Sequence, residues 1–363
     1  MIKIVYLGSS SVCLELQNSA PYYAPDEYVV SIGAEEILRS RTNVFSVFEL
    51  RPDTEYQVAV ESGGGREEIS FRTKKETCCV SVKDFGAAGD GVTEDTAAIQ
   101  AAVNSVPEGG RIDGNGQNGD WWKDFEEFPA KRPRAVFLNR CEDITFHGVT
   151  VANSPSWHMH PLYSVNIGMY DLYIEAPKVS PNTDAIDPEG CDGVEIIGCR
   201  FSVGDDCIAV KSGKIEMARK YQKPADHHTV RNCLMDFGHG ALTLGSELAG
   251  GIRNLSVTQC LFHATDRGLR IKTRRSRGKD SIITNVLFDN IRMDAVLTPI
   301  VINMWYNCCD PDRFTEYVWS REHLPVDDRT PHLGPSVSGT WCARMRKRRP
   351  VISTDCRRAL LTR

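Results

Sequence analysis

Apolar and polar positions alternate with a period of two through short runs along most of this chain, and Gly, Asn, Asp and Pro interrupt the runs. That is the pattern of half-buried strands joined by turns. Residues 1–75 read as a small β domain closed by the polar linker Thr73-Lys74-Lys75-Glu76-Thr77. Beyond it, VKDFGAAGDGVTEDTAAIQAAVNSV departs from the alternation: Thr93 or Asp95 can cap a helix with Ile99, Ala102 and Val103 on one face. One short helix is expected there, and strands again afterwards.

From about residue 135 the pattern repeats. VEIIGCRF (194–201), TVRNCLMDF (229–237), LSVTQCLF (255–262) and NVLFDNIRM (285–293) share one form: a β run, then Asn, Gly or Gln, then a small or polar residue, then more apolar positions. Taking Cys199, Cys233, Cys260 and Asn290 as equivalent gives a period of about 30 residues, within the range of stacked repeats. A coil of short strands cannot bury its apolar side without neighbours above and below. The expectation is an all-β chain, a right-handed parallel β-helix over residues 76–330 preceded by a small β-sandwich. Residues 331–363, rich in arginine, lose the repeat and read as an atypical basic tail.

Composition narrows the partners. A net charge of −5 over 363 residues gives no general reason to expect nucleic acid or an anionic membrane. No run approaches the roughly 20 apolar residues of a membrane helix, and the N-terminus lacks the apolar core of a secretory signal, so a cytoplasmic location is expected. The 13 cysteines are odd in number, and Cys199, Cys207, Cys233 and Cys260 sit inside β-like runs, as reduced core residues would. The pairs Cys78-Cys79 and Cys308-Cys309 lack the spacing of a zinc site. Neither a metal nor another cofactor is expected, and the oligomeric state is left open.

Candidate chemistry lies in the second segment of each repeat. Asp205-Asp206 after Gly204 suits a turn, yet two adjacent carboxylates also tend to share a proton, which suits acid–base work. The repeat bears on that choice. Asn182-Thr183-Asp184, Gly204-Asp205-Asp206, Gly238-His239-Gly240 and Asp266-Arg267-Gly268 fall at similar phases of successive coils. Strands stack about 4.8 Å apart, so Asp184, Asp205, Asp206 and His239 would meet on one face. Arg270-Ile271-Lys272 follows, with alternation burying Ile271 and turning both cations outward.

With Asn182-Thr183-Asp184, Gly204-Asp205-Asp206, Gly238-His239-Gly240 and Arg270-Ile271-Lys272 in order, the chain from about Val82 to Thr330 resembles the polygalacturonases of glycoside hydrolase family 28. The resemblance implies hydrolysis of α-1,4-galacturonosidic bonds in pectic polysaccharide or oligogalacturonides by inversion, exo-acting as the first reading. Asp205 would be the general acid supported by His239, Asp184 and Asp206 would activate water, and Arg270 and Lys272 would hold the substrate carboxylate. Asn182 and Tyr306 are weaker candidates for sugar contact, since Asn182 also suits a turn and Tyr306 could pack on its neighbours. A rhamnogalacturonan hydrolase and a non-catalytic or defective polyuronate-binding β-helix are the alternatives. The family normally carries further coils between Gly109-Gly110-Arg111 and Ile112-Asp113-Gly114-Asn115-Gly116, which are fused here. In the first domain, Leu50-Arg51-Pro52-Asp53-Thr54-Glu55-Tyr56 resembles the fibronectin type III segment that leads into a tyrosine corner.

Overall fold

The computed structural model describes residues 1–63, 65–75, 86, 111–118, 121, 132–306, 324–334, 337–344 and 358–361. The helix expected near Ile99, Ala102 and Val103, the pairs Cys78-Cys79 and Cys308-Cys309, and most of the basic tail lie outside the described residues.

The N-terminal strands are β1 (Ile2–Leu7), β2 (Val12–Leu16), β3 (Tyr23–Ile32), β4 (Glu35–Thr42), β5 (Val44–Val47), β6 (Glu55–Ser62) and β7 (Gly65–Arg72). They form two antiparallel sheets, β1-β2-β5 and β4-β3-β6-β7. One apolar cluster joins the sheets into a sandwich: Val12, Leu14 and Phe45 come from the first, and Tyr28, Val30, Val58 and Phe71 from the second. The Tyr56 hydroxyl accepts the Arg51 backbone N–H at 2.8 Å, tying the turn before β6 to the strand itself.

Strand β2, VCLEL, shows why alternation alone understates burial. Val12 and Leu14 enter the sandwich core, yet Cys13 and Glu15 on the opposite side are buried too. Their face lies against the second unit.

That unit is a parallel β-helix. One sheet stacks β10 (Glu142–His147), β13 (Val165–Tyr170), β15 (Asp192–Ile197), β18 (Ala225–Arg231), β21 (Ile252–Thr258) and β24 (Ile282–Asp294). A second stacks β8 (Arg111–Asp113), β11 (Thr150–Ala152), β14 (Tyr173–Glu175), β16 (Arg200–Ser202), β19 (Leu234–Phe237) and β22 (Leu261–His263), and the long β24 bends into it. The third pairs β9 (Val136–Asn139) with β12 (Met159–Leu162), passes through bridges at Ile186 and Glu189, and continues as β17 (Ile208–Val210), β20 (Gly240–Gly245), β23 (Arg267–Lys272) and β25 (Thr298–Asn303). Register aligns Phe146, Met169, Ile196, Val230, Val257 and Phe288 into one buried ladder. No single coil could keep such residues dry, so stacking is the source of the core.

The repeated Asn, Gly or Gln marks a corner between the first two sheets. Gly148, Asp171, Gly198, Asn232, Gln259 and Asn290 all have φ between 50° and 72°. Gly and the short polar residues tolerate this left-handed backbone best. Here the sequence register needs a correction of one residue: Leu261 pairs with Arg292, so Asn290 belongs with Gln259, and Ile291 takes the place of Cys260. Cys199, Cys207, Cys233 and Cys260 are buried free thiols, as their apolar surroundings suggested. Beyond residue 330, in the stretch expected to lose the repeat, Val337–Arg344 stacks parallel on β24 and prolongs it.

The sandwich docks along these corners, coil after coil. The Ser46 hydroxyl donates to Asp171 at 2.6 Å and meets His147 Nε2 at 2.8 Å. Glu15 accepts from Arg231 at 2.7 and 2.9 Å and from Asn232 Nδ2 at 2.7 Å. Gln259 Nε2 donates to Asn18 O, and Asn290 Nδ2 to Ser19 O, each at 2.7 Å. Among the described residues, the hydrogen bonds to the sandwich come from the first two sheets and their corner, and the site lies at the third sheet.

Candidate active site

The stacking that buries Ile208 on Leu242 and Leu269 also fixes what precedes each of them. Ala185 N–H donates to Asp206 O at 3.0 Å and Cys207 N–H to Gly240 O at 2.8 Å, so the loops before these strands lie in register. His239 N–H donates to Asp205 O at 2.9 Å, placing the histidine one coil beyond the first aspartate of the pair. Gly240 is required by close approach: a Cβ there would fall 2.6 Å from Asp206 Oδ1 and 2.3 Å from Thr243 Oγ1.

The result is a cluster of three carboxylates. One oxygen from each of Asp184, Asp205 and Asp206 lies within 4.8 Å of the other two. Asp206 is fully buried, with Lys272 Nζ 2.6 Å from Oδ2 and Arg270 Nη1 3.1 Å from Oδ1. Burial alone would raise its pKa, but Lys272 and then Arg270 outweigh it and bring the carboxyl down to about 2. Asp184 goes the other way. Burial first, then the charges of Asp187 and Asp205, push it well above the ordinary carboxylate range. The site thus holds one firmly ionised carboxylate and one that favours its proton.

Asp205 and His239 form the open edge of the cluster. Their side chains are 19% and 50% exposed, and His239 Nδ1 stands 3.4 Å from Asp205 Oδ1. Hydrogen bonding to Asp205 raises the imidazole above its usual value of 6.5. Among the four acid–base candidates, these two are the most exposed.

Arg270 and Lys272 do alternate with a buried Ile271, as expected. They do not face bulk water, however: Lys272 is buried, and both turn back onto Asp206. Tyr306 covers them, its ring centre 5.5 Å from the Arg270 guanidinium and 5.4 Å from the Lys272 ammonium. Asn182 sits in a left-handed turn with φ of 55°, and its Oδ1 accepts from Arg132 Nη2. The three aspartates could geometrically bracket a cation, but the Lys272 and Arg270 contacts already supply counter-charge to both oxygens of Asp206.

Two residues escaped the sequence reading. Asp187 is fully buried beside Lys211, whose ammonium stands 3.2 Å from Asp187 Oδ1 and 3.3 Å from Glu247 Oε2. A signal for Lys211 did exist. Register places it in one row with Glu189, Gly245 and Lys272, so it occupies the position of Lys272 two coils earlier.

Comparisons with known proteins converge on one family. A probable polygalacturonase of Vitis vinifera is 39% identical over 175 residues, 47% of this chain and 35% of that protein. An endo-polygalacturonase of Pectobacterium carotovorum subsp. carotovorum is 27% identical over 307 residues, 82% of this chain and 67% of that protein. The family 28 exopolygalacturonase of Yersinia enterocolitica has the same fold, with a TM-score of 0.61 over 94% of this chain and 84% of its own, at 17% identity. The chain spans 35%, 40% and 58% of the first three curated relatives it matches. The family model for glycosyl hydrolases family 28 matches residues 75–314, which include the coils from β8 to β25 and every member of the cluster, and the chain therefore belongs to that family.

Proposed function

We propose that the protein hydrolyses α-1,4-galacturonosidic bonds in polygalacturonate or oligogalacturonides. The observation that carries this reading is the pairing of a more exposed Asp205–His239 edge with an ionised, cation-held Asp206 within 4.8 Å of it. In this reading Asp205 gives its proton to the glycosidic oxygen as the bond to the anomeric carbon breaks. Water attacks that carbon and loses a proton to Asp206, with Asp184 beside it. His239 holds and orients Asp205 from the next coil.

Arg270, Lys272 and Tyr306 supply the substrate side. A uronate carboxylate arriving beside Tyr306 would share the two cations with Asp206. Losing part of that pairing raises the basicity of Asp206, so substrate binding itself would ready the base. Arg suits a carboxylate through paired N–H donors and Lys adds a point charge.

The endo-polygalacturonase of Pectobacterium carotovorum and an exopolygalacturonase of Arabidopsis thaliana are 27% and 28% identical to this chain, so identity does not choose between modes of attack. Product length decides it. Inversion is the family expectation, although the carboxylate oxygens are closer than the roughly 6.5–9.5 Å typical of inverting pairs. Proton NMR of the first anomer formed would settle the stereochemistry.

The direct test incubates the protein with polygalacturonate and a chelator while following new reducing ends and the ultraviolet absorbance of unsaturated products. Reducing ends without that absorbance are expected. Asp205→Asn should abolish turnover and spare binding, and full turnover in that variant would remove Asp205 from the mechanism. Binding without turnover by the folded wild-type protein would favour a non-catalytic polyuronate-binding solenoid.

A further inference from the structure

Asp187 is a fully buried carboxylate, and among the described residues neither of its oxygens makes a hydrogen bond. Buried carboxylates that serve only architecture are normally hydrogen-bonded. Its close partner is instead a charge, the Lys211 ammonium at 3.2 Å, not aligned for a hydrogen bond. Lys211 is itself buried, with Glu247 Oε2 at 3.3 Å, Gly245 O at 3.5 Å and the Trp157 ring centre 4.6 Å away. Asp187 is three residues from Asp184 and lies in the register row that runs through Ala209 and Thr243 to Arg270, whose guanidinium holds Asp206.

We propose that Asp187, anchored by Lys211, is a positioning residue whose charge sets how tightly Asp184 holds its proton. The significance of this for catalysis rests on the hydrolase reading above, while the electrostatic claim does not. The charged groups acting on Asp184 are Asp187, Asp205, Lys211 and Asp206, and those acting on Asp187 are Lys211, Asp206 and Glu247. The other two cations, Lys272 and Arg270, are taken up by Asp206. Asp187 is thus the neighbouring charge best placed to act on Asp184, and Lys211 limits that effect. The direction of both shifts agrees: burial against the pull of Lys211 brings Asp187 up to about 7, and Asp187 follows burial as the second cause of the rise at Asp184. Two such carboxyls titrate as a pair.

The test is a carbon-13 NMR titration of the full chain labelled at aspartate Cγ, with Asp184→Asn and Asp187→Asn identifying the two signals. In wild type, Asp187 should lose its proton at lower pH than Asp184, so that its charge is present when Asp184 titrates. Asp187→Asn, nearly isosteric, should move the Asp184 midpoint down by about one pH unit, and Lys211→Met should move it up. Opposite signs are what a merely structural role cannot produce. An unmoved Asp184 in folded Asp187→Asn, shifts of one sign in both variants, or a wild-type Asp187 that still holds its proton when Asp184 loses its own would each overturn the proposal. If one variant does not fold, the other variant and the wild-type titration decide. Because no turnover is measured, the outcome stands apart from the hydrolase reading. An inactive wild type with the expected shifts sinks that reading alone, and an active wild type without them sinks this one alone.

Discussion

At the residue scale, neighbouring carboxyls of the site pull stability in opposite directions. The folded pKa of Asp184 is raised, so above the unfolded value near 3.8 the folded state holds a proton the unfolded chain would release. Stability attributable to Asp184 therefore falls as pH rises past about 4 and through the folded pKa. Asp184→Asn removes that penalty, and its melting temperature should exceed wild type by roughly 2–4 °C at pH 8, with the gain vanishing near pH 4. Asp206 has the reverse sign. Its folded pKa near 2 contributes stability that is present above about pH 4 and lost as pH falls towards 2. Asp206→Asn also leaves Lys272 and Arg270 without their buried counter-charge, so it should lower the melting temperature at pH 7. Calorimetric melts of the two variants across pH 4–8 check both signs, and parallel behaviour would contradict the electrostatics described.

At the element scale, the coil corner explains what the sequence revealed and what it concealed. Period-two runs and a left-handed residue at each corner are local requirements, so the strands, the repeat and the clustering of Asp184, Asp205, Asp206 and His239 could be read directly. The one-residue slip at Asn290 arose from aligning it with the cysteines of Asn232-Cys233 and Gln259-Cys260, when it belongs with Asn232 and Gln259. Asp187 stayed hidden because its interest comes from burial beside Lys211, which no local pattern encodes, whereas Lys211 could have been found only by carrying the register of Lys272 back two coils. Cys13 and Glu15 stayed hidden likewise, since alternation cannot show that both faces of a strand are covered. Gly198 joins the two kinds of information. Its φ of 72° lies in the left-handed region that favours glycine, and a Cβ there would lie 2.4 Å from Val44 Cγ1 of the sandwich. Gly198→Ala should cost about 2–3 kcal/mol in denaturant unfolding, part from the backbone and part from the overlap. Adding Val44→Ala should return only the overlap part, and full rescue would show that the left-handed backbone costs nothing.

At the scale of the whole molecule, the sandwich lies against the solenoid as a splint fastened to successive coils, on the corner between the first two sheets. The fastening is chemically mixed: Cys13, Val44, Tyr170 and Ile197 form a small apolar cluster, and polar contacts flank it. Glu15 is the strongest of these. Its side chain is 6% exposed and accepts two bonds from Arg231, 22% exposed, and one from Asn232. Removing one partner from such a pair is worse than never having had it, because the remaining charge keeps its desolvation penalty. Contacts spread over several coils should make the two units unfold together, so the wild-type protein should show a single cooperative transition followed by both near-ultraviolet and far-ultraviolet circular dichroism. Glu15→Ala should cost about 3 kcal/mol and separate the transition into two, with the sandwich and the solenoid melting independently. Glu15→Gln keeps the shape and some hydrogen bonding and should fall between. If the proposed hydrolysis is observed, its rate well below the first transition should be nearly unchanged in both variants, since the docking corner joins the first two sheets while Asp205 and His239 lie in the loops before β17 and β20 of the third. A Glu15→Ala protein that still melts in one step at the wild-type temperature would show that the splint does not depend on this pair.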